Sequence, residues 1–232
     1  MTFRREHLPI LAGSWEGEPR GPIPWEDPDL PKLTGFFRTL RLLLFSPDKF
    51  FRTPHRGGWQ EALAFGLIVG AAGFLASIYW QFLLQTGIAR MVEAASGVSR
   101  SFSLGTGAVI ALMVAAPILT LANLGLNGVC LWGAVRLVGA EADFLPIWRI
   151  TGYAQGAMAA ALIPILGAPV AALGWLYLNY KGIKIVFGLT TGRAILALAL
   201  FLALEGLLLL FLLGGLVGLM GFLGIWMLWS LG

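Results

Sequence analysis

The sequence predicts an all-α, polytopic membrane protein, in which five transmembrane helices form a bundle that is preceded by amphipathic helices at the membrane interface. Hydrophobic residues make up 58% of the 232-residue chain and charged residues only 12%, whereas soluble domains carry about 25% charged residues. The apolar residues also form runs near the roughly 20 residues that an α-helix needs to cross a bilayer. Composition and run length together place the chain in a membrane.

Residues 1–32 are predicted to be a disordered, proline-rich tail. Six prolines lie there among glycines and charged residues, a composition that favours extended chain over a packed element. The first 20 residues lack the apolar region of a signal peptide, so we expect the tail to stay in the cytoplasm. An unknown protein partner is expected to bind it.

Residues 33–56 are predicted to form two short amphipathic helices at the membrane interface. Apolar residues recur at helical spacing and cations take the other side, which is typical of a helix lying among lipid headgroups. Ser46 and Pro47 suit the start of a second helix. The expected membrane-interface residues are Phe36, Phe37, Arg38, Leu40, Arg41, Phe50 and Phe51.

Residues 57–232 are predicted to be the transmembrane bundle. The expected spans are residues 62–84, 104–135, 146–164, 170–187 and 194–213. The third and fourth are short and bounded by Pro and Gly, so they form either a hairpin of two spans or a re-entrant pair. Residues 216–231 either continue the fifth helix or form a short sixth segment.

The distribution of cations predicts the orientation. With five spans and a cytoplasmic N-terminus, fourteen Lys and Arg residues lie inside and only Arg90 and Arg100 lie outside. Such an excess on the cytoplasmic side is the usual bias of membrane proteins. It predicts a multi-pass protein of the cell's inner (plasma) membrane, in contact with the anionic inner leaflet.

No motif predicts catalysis, a cofactor or a metal site. The sequence contains no phosphate-binding loop, dinucleotide fingerprint or metalloprotease motif, and both histidines, His7 and His55, precede the first span. The cations flank the spans and form no nucleic-acid patch. The lone cysteine, Cys130, is expected to fill apolar space.

A glutamate, Glu205, lies inside the apolar run of residues 194–213, where an ionisable group costs several kcal/mol. Counting about 1.5 Å per residue places Asn123 roughly 19 Å from Arg136 and Glu205 roughly 18 Å from Arg193, at a similar depth. The other polar residues at membrane depth include Asn127, Tyr153 and Gln155. These residues form either a site for a proton or cation, or, with a neutral Glu205, hydrogen bonds between helices.

Glycines at four-residue spacing favour close helix contacts. Gly214 and Gly218 have this spacing and are predicted to pack against another helix. That helix belongs either to the same chain or to a second copy in a homo-oligomer.

Several stretches resemble the bacterial branch of the Yip1-domain family. They are Ile23-Pro24-Trp25-Glu26, Leu43-Leu44-Phe45-Ser46-Pro47-Asp48-Lys49-Phe50-Phe51, Tyr153 with Ile163-Pro164-Ile165-Leu166-Gly167, and Gly182-Ile183 with Gly188-Leu189-Thr190-Thr191-Gly192-Arg193-Ala194. The resemblance implies a five-helix bundle with a cytoplasmic N-terminus and no known catalytic activity. Eukaryotic members act in vesicle trafficking and associate with Rab-type GTPases and with one another. This chain lacks their Asp-Leu-Tyr-Gly-Pro motif, which argues against GTPase binding.

The sequence therefore predicts a non-enzymatic membrane scaffold or adaptor that organises or shapes the membrane and recruits partners through its cytoplasmic N-terminus. The alternative is a small transporter or channel, coupled to protons or cations through Glu205.

Overall fold

A computed structural model of the protein describes residues 22–53, 57–96 and 105–230, and side-chain surroundings up to residue 215. The described chain is helical, without strands, which confirms the all-α prediction. The helices are α1 (Lys32–Phe45), α2 (Pro47–Arg52), α3 (Trp59–Ser96), α4 (Thr106–Leu137), α5 (Phe144–Ala154), a 3₁₀ segment (Gln155–Leu162), α6 (Gly167–Val186) and α7 (Thr191–Ser230).

Three helices of the described chain, α3, α4 and α7, are long and apolar enough to span a membrane. They contain 38, 32 and 40 residues and extend about 48–60 Å, well beyond a hydrocarbon core of about 30 Å. Helix α7 runs unbroken to Ser230, so residues 216–230 continue the fifth predicted span as part of one helix.

The three candidate spans are fewer than the five predicted. The third predicted span divides into the 11-residue α5 and an eight-residue 3₁₀ segment, and the fourth corresponds to the 20-residue α6, which carries Lys181 and Lys184 near its end. Hydropathy alone detected both runs but did not detect the change from α to 3₁₀ geometry. The 3₁₀ segment and α6 are joined by a tight turn, in which Ile165 has a left-handed φ of 67°.

The protein core lies at the end of the bundle that carries α1 and α2. Helix α5 and the 3₁₀ segment lie in the middle of it, packed against α3, α4 and α6. The largest fully buried side chains include Phe50, Phe65, Leu131, Tyr153 and Phe201. In α3 after residue 73, and in α7 after residue 201, no described side chain is buried. The far ends of these helices therefore present apolar surface outward, as a lipid environment requires.

Glycines on α3 permit close helix contacts in this core. A Cβ on Gly66 would lie 2.6 Å from the Gly152 carbonyl oxygen, and one on Gly73 would lie 2.5 Å from that of Met158. Both distances are too short for a real Cβ, so only glycine lets the backbones of α3, α5 and the 3₁₀ segment approach this closely.

Residues 22–31 correct the predicted extent of the disordered tail. Ile23 is completely buried, and the Glu26 N–H donates to the Ile23 carbonyl in a turn at 2.9 Å. The prolines of this segment shape a compact turn because proline restricts the backbone without preventing side chains from packing. Residues 1–21 lie outside the described chain.

Candidate functional site

Trp25 joins the N-terminal segment to α1 and α3. Its indole N–H donates to the Glu61 carbonyl at 2.8 Å, and its backbone N–H donates to Thr39 Oγ1 at 2.9 Å. Its ring meets Phe36 and Phe65 edge to face, with centroids 6.0 and 6.1 Å away. Such aromatic pairs contribute about 0.5–1.5 kcal/mol beyond their buried area. Trp25 therefore fixes the position of α1 on the bundle.

Glu26 joins the same segment to α5. The carboxylate is only 8% exposed, and both of its oxygens accept hydrogen bonds, Oε1 from the Tyr153 hydroxyl at 2.7 Å and Oε2 from the Gly57 N–H at 2.8 Å. Arg149 in turn donates to the Gly57 carbonyl. Hydrogen bonds to an ionised group are about twice as strong as neutral ones, so Glu26 holds residues 22–31 firmly against the core.

Helix α2 packs its aromatic side chains into the protein. Phe50 is fully buried against Tyr153, with ring centroids 5.0 Å apart, and Phe51 is also buried. This corrects the expectation that both side chains enter the membrane interface. The apolar periodicity indicated a buried face, but periodicity does not distinguish a face covered by protein from one covered by lipid.

The exposed side of α2 is polar and is tied to α6. Lys181 donates to both carboxylate oxygens of Asp48 at 2.9 Å. The pair lies outside the three candidate spans, and the hydrogen bond to Asp48 raises the pKa of the Lys181 ammonium group. Lys49 and Arg52 are exposed on the same helix.

One face of helix α1 packs against the rest of the protein, and a second, apolar face is exposed. Its inner face buries Gly35, Thr39 and Leu43, and the predicted interface residues Phe36 and Leu40 pack partly against the core.

The outer face carries Leu33, Phe37 and Leu44, which are 76%, 63% and 41% exposed. Their spacing of four and seven residues places them in one stripe along the helix. Arg38 and Arg41, both exposed, lie beside the stripe. This combination is typical of a helix at a membrane interface.

The structure does not bring Glu205 and Asn123 together. A Cβ on Gly133 would lie 3.7 Å from Leu204 Cδ1, so α7 at the level of Glu205 adjoins residue 133, which is about 15 Å along α4 from Asn123. Asn123 is exposed and Glu205 is partly buried. The predicted common depth was wrong because it assumed that α4 and α7 meet the membrane surface at the same level.

The other predicted polar residues occupy different places. Tyr153 belongs to the Glu26 cluster, whereas Gln155 and Asn127 are buried in the core. A Cβ on Gly70 of α3 would lie 3.2 Å from Gln155 Oε1.

Of the two predicted packing glycines, Gly214 has no partner in the described part of the chain. A Cβ on Gly214 would meet nothing within 4 Å, and the surroundings of Gly218 lie outside the description. Inside this chain, Gly66, Gly70 and Gly73 make the close contacts instead.

Sequence reasoning missed the roles of Trp25, Glu26, Glu61 and Arg149. The available signal was the pair Trp25-Glu26, since a large aromatic residue is unusual in a disordered segment.

A scan against protein-family models identifies the Yip1 domain over residues 41–213, which is 173 of the 232 residues. The chain belongs to the Yip1 domain family. No curated protein and no solved structure matches it. The Yip1 domain begins inside α1 and ends inside α7, so Tyr153 lies within the domain and Glu26 precedes it. Trp25 and Glu26 therefore precede the matched region and bind to it, through Glu61 and Tyr153 respectively.

Proposed function

We propose that this Yip1-domain protein is a non-enzymatic membrane scaffold or adaptor that uses α1 to organise or shape the inner leaflet and its N-terminal tail to recruit a protein partner. The observation that supports the proposal is the two-faced α1. Trp25 and the core fix its inner face, while the outer face presents the stripe of Leu33, Phe37 and Leu44. A helix fixed in this way holds its apolar stripe at a constant height and angle.

Charge supports the same placement. Arg38 and Arg41 border the stripe, and Lys49 and Arg52 are exposed on α2. Each cation close to an anionic leaflet contributes about 1 kcal/mol of attraction. Four such cations together with the apolar stripe would hold α1 in the interface of an anionic membrane.

The orientation that we propose, with a cytoplasmic N-terminus, does not depend on the number of spans. Helix α5, the 3₁₀ segment and α6 form a hairpin whose ends lie on the same side, whether it crosses the membrane or is re-entrant. In either case fourteen cations lie inside and two outside, which supports a multi-pass protein of the inner membrane.

We also retain five passages as the proposed arrangement. With rises of about 1.5 Å per α residue and about 2.0 Å per 3₁₀ residue, α5 and the 3₁₀ segment extend about 32 Å, enough for a hydrocarbon core of about 30 Å.

Lipid accessibility of α1 tests the proposed function. Cys130 is the only cysteine, so a Cys130→Ala background accepts spin labels at residues 33, 37 and 44, with residue 29, which is exposed in the segment before α1, as the control. In nanodiscs that contain anionic lipid, labels on the stripe should collide more with oxygen than with a water-soluble nickel complex, and the label at residue 29 should show the reverse. Equal nickel accessibility at all four positions would contradict the proposal.

A transporter or channel coupled through Glu205 is the alternative. It is supported by the position of this carboxylate in a candidate span, but it loses the predicted contact with Asn123. Proton or cation flux in proteoliposomes that Glu205→Gln abolishes would favour the transporter over the scaffold.

A further inference from the structure

A surface cavity of about 450 Å³ lies between the loop that follows α4 and the loop that follows α6. The first loop contributes Gly139, Ala140 and Glu141 to its lining. The second contributes residues 186–190, and Arg193 of α7 completes it. Sites for small molecules typically have volumes of about 300–1,000 Å³, so this cavity is large enough for a small polar group.

Both loops have a fixed backbone because α4 and α6 end in the same capping motif. After α4, Gly139 has a left-handed φ of 81°, and the Ala140 N–H donates back to the Val135 carbonyl at 3.3 Å. After α6, Gly188 has a φ of 60°, and the next N–H donates to the Lys184 carbonyl at 3.0 Å. These are Schellman motifs. The walls of the cavity are therefore formed before any ligand binds.

The cavity carries an anion and a cation that do not bind each other. Glu141 and Arg193 both line it and both are exposed. Neither side chain forms an ion pair within the described part of the chain. A ligand with both charges would give each side chain an opposite partner, and such complementarity provides specificity. The lining therefore favours a zwitterionic ligand over a simple anion or cation.

The cavity lies where two candidate spans end. Helix α4 ends as a candidate span at Leu137, and α7 begins as one at Thr191. Apolar side chains within three residues of the lining are exposed, among them Leu137 at 66% and Ile195 at 55%. A ligand whose charged end enters the cavity can extend an apolar tail over this surface. The position thus favours a lipid over a free polar compound.

We propose that the cavity binds the headgroup of a zwitterionic phospholipid that ends in a primary ammonium group. The Arg193 guanidinium binds the phosphate, for which its planar fork of donors is suited. The Glu141 carboxylate accepts hydrogen bonds from the ammonium group. This order fits the lipid, because Arg193 lies in the first turn of a candidate span and Glu141 lies in a loop between helices. The site is separate from the outer face of α1, so the two lipid contacts can fail independently.

Native mass spectrometry of the full-length protein in detergent tests the ammonium contact. The probes are phosphatidylethanolamine and phosphatidylcholine with identical acyl chains, which have the same net charge, so basic residues elsewhere do not separate them. The wild-type protein should bind phosphatidylethanolamine roughly two- to fivefold more tightly, as expected of a partly exposed charge pair, because choline has no N–H donor. Glu141→Gln should abolish this preference.

Asp143→Asn is the matched control, since Asp143 is an exposed carboxylate two residues later that does not line the cavity. It should leave the preference unchanged. Equal binding of the two lipids by the wild-type protein overturns the proposal, and so does a preference that survives Glu141→Gln. Both positions are on the surface, but if a variant does not fold, the comparison of lipids on the wild-type protein decides.

The phosphate contact has its own test. Arg193→Gln should weaken the binding of both lipids by a similar factor, because both carry the phosphate. Arg136→Gln, which removes an exposed cation near the end of α4 that does not line the cavity, should have a smaller effect. Equal losses for the two substitutions overturn the assignment of Arg193. Displacement of the lipid by an equal concentration of phosphoethanolamine, which has no acyl chains, would assign the cavity to a soluble compound and overturn the assignment to a lipid.

Discussion

The Tyr153 hydroxyl donates a 2.7 Å hydrogen bond to the Glu26 carboxylate across 127 residues of sequence. Glu26 precedes the matched Yip1 domain, and Tyr153 lies on α5 in its core. This contact couples the position of the N-terminal segment, and through Trp25 that of α1, to the packing of the transmembrane bundle. A change at either residue should therefore affect both.

Tyr153→Phe should destabilise the protein by about 1.5–3 kcal/mol, the usual contribution of a hydrogen bond to a charged group. The ring contacts with Phe50 and Phe65 would remain, so the loss would come from the hydroxyl. The midpoint of unfolding in mixed micelles measures the effect.

Tyr79→Phe is the matched control, because Tyr79 is exposed on α3. It should change stability by less than about 0.5 kcal/mol, as exposed substitutions usually do. Equal effects of the two substitutions would show that the Glu26 contact contributes nothing.

The N-terminal segment and α2 show how far the sequence alone could predict this fold. The apolar runs were sufficient for an all-α class and for the three long helices, because hydropathy over about 20 residues reports membrane partition directly. They were insufficient for Phe50 and Phe51, whose burial depends on neighbours that are distant in sequence. Phe50 packs against Tyr153, and Phe51 lies beside Gly182. Prolines at residues 22–31 suggested disorder, but the burial of Ile23 depends equally on tertiary contacts.

The candidate site was predicted less completely for a related reason. Placing Glu205 beside Asn123 required the vertical offset between α4 and α7, which is set by packing. Tyr153 was identified as a polar residue at membrane depth, but its partner Glu26 lies in a segment with no helical periodicity to place it. The outer face of α1 was predicted in part, since Phe37, Arg38 and Arg41 are exposed.

Trp25→Phe should loosen α1 without unfolding the bundle. Phenylalanine retains an aromatic ring but loses the indole donor to the Glu61 carbonyl, a bond worth about 0.5–1.5 kcal/mol. If the lost hydrogen-bond free energy lowers the cost of locally opening α1, hydrogen–deuterium exchange of residues 32–45 should become roughly two- to tenfold faster. Exchange in the core of α5 should remain unchanged.

The control for α1 is Phe37→Ala on its outer face, assayed in detergent. Phe37 is 63% exposed and its ring meets that of Phe36 within α1 itself, so exchange of residues 32–45 should be less affected than by Trp25→Phe. Faster exchange with Phe37→Ala than with Trp25→Phe would mean that Trp25 does not fix α1.

The ion pair between Asp48 and Lys181 should contribute little to stability. The side chains are 54% and 21% exposed, and exposed ion pairs are typically worth about 0–1 kcal/mol after solvent screening. Asp48→Asn should therefore lower stability by less than about 1 kcal/mol, and added salt should reduce the difference.

The pH dependence of this pair follows from the raised pKa of Lys181. Because the folded pKa exceeds the unfolded value, the contribution is complete below the usual lysine pKa of 10.5 and is lost as pH rises through the higher folded value. The stability difference between wild type and Asp48→Asn should thus be constant near neutral pH and shrink above about pH 10.5. A difference that grows at high pH would contradict this assignment.

Gly66→Ala should be strongly damaging on α3. The new Cβ would lie 2.6 Å from the Gly152 carbonyl oxygen, so α3 and α5 must separate, and such overpacking costs about 1–3 kcal/mol or more. Gly87→Ala is the same change farther along the same helix, where a Cβ would meet nothing within 4 Å. There alanine should stabilise the helix by roughly 0.5–1 kcal/mol through its higher helix propensity. Opposite shifts of the unfolding midpoint would locate the close contact at Gly66, whereas a rise for both substitutions would mean that α3 and α5 do not approach through this glycine.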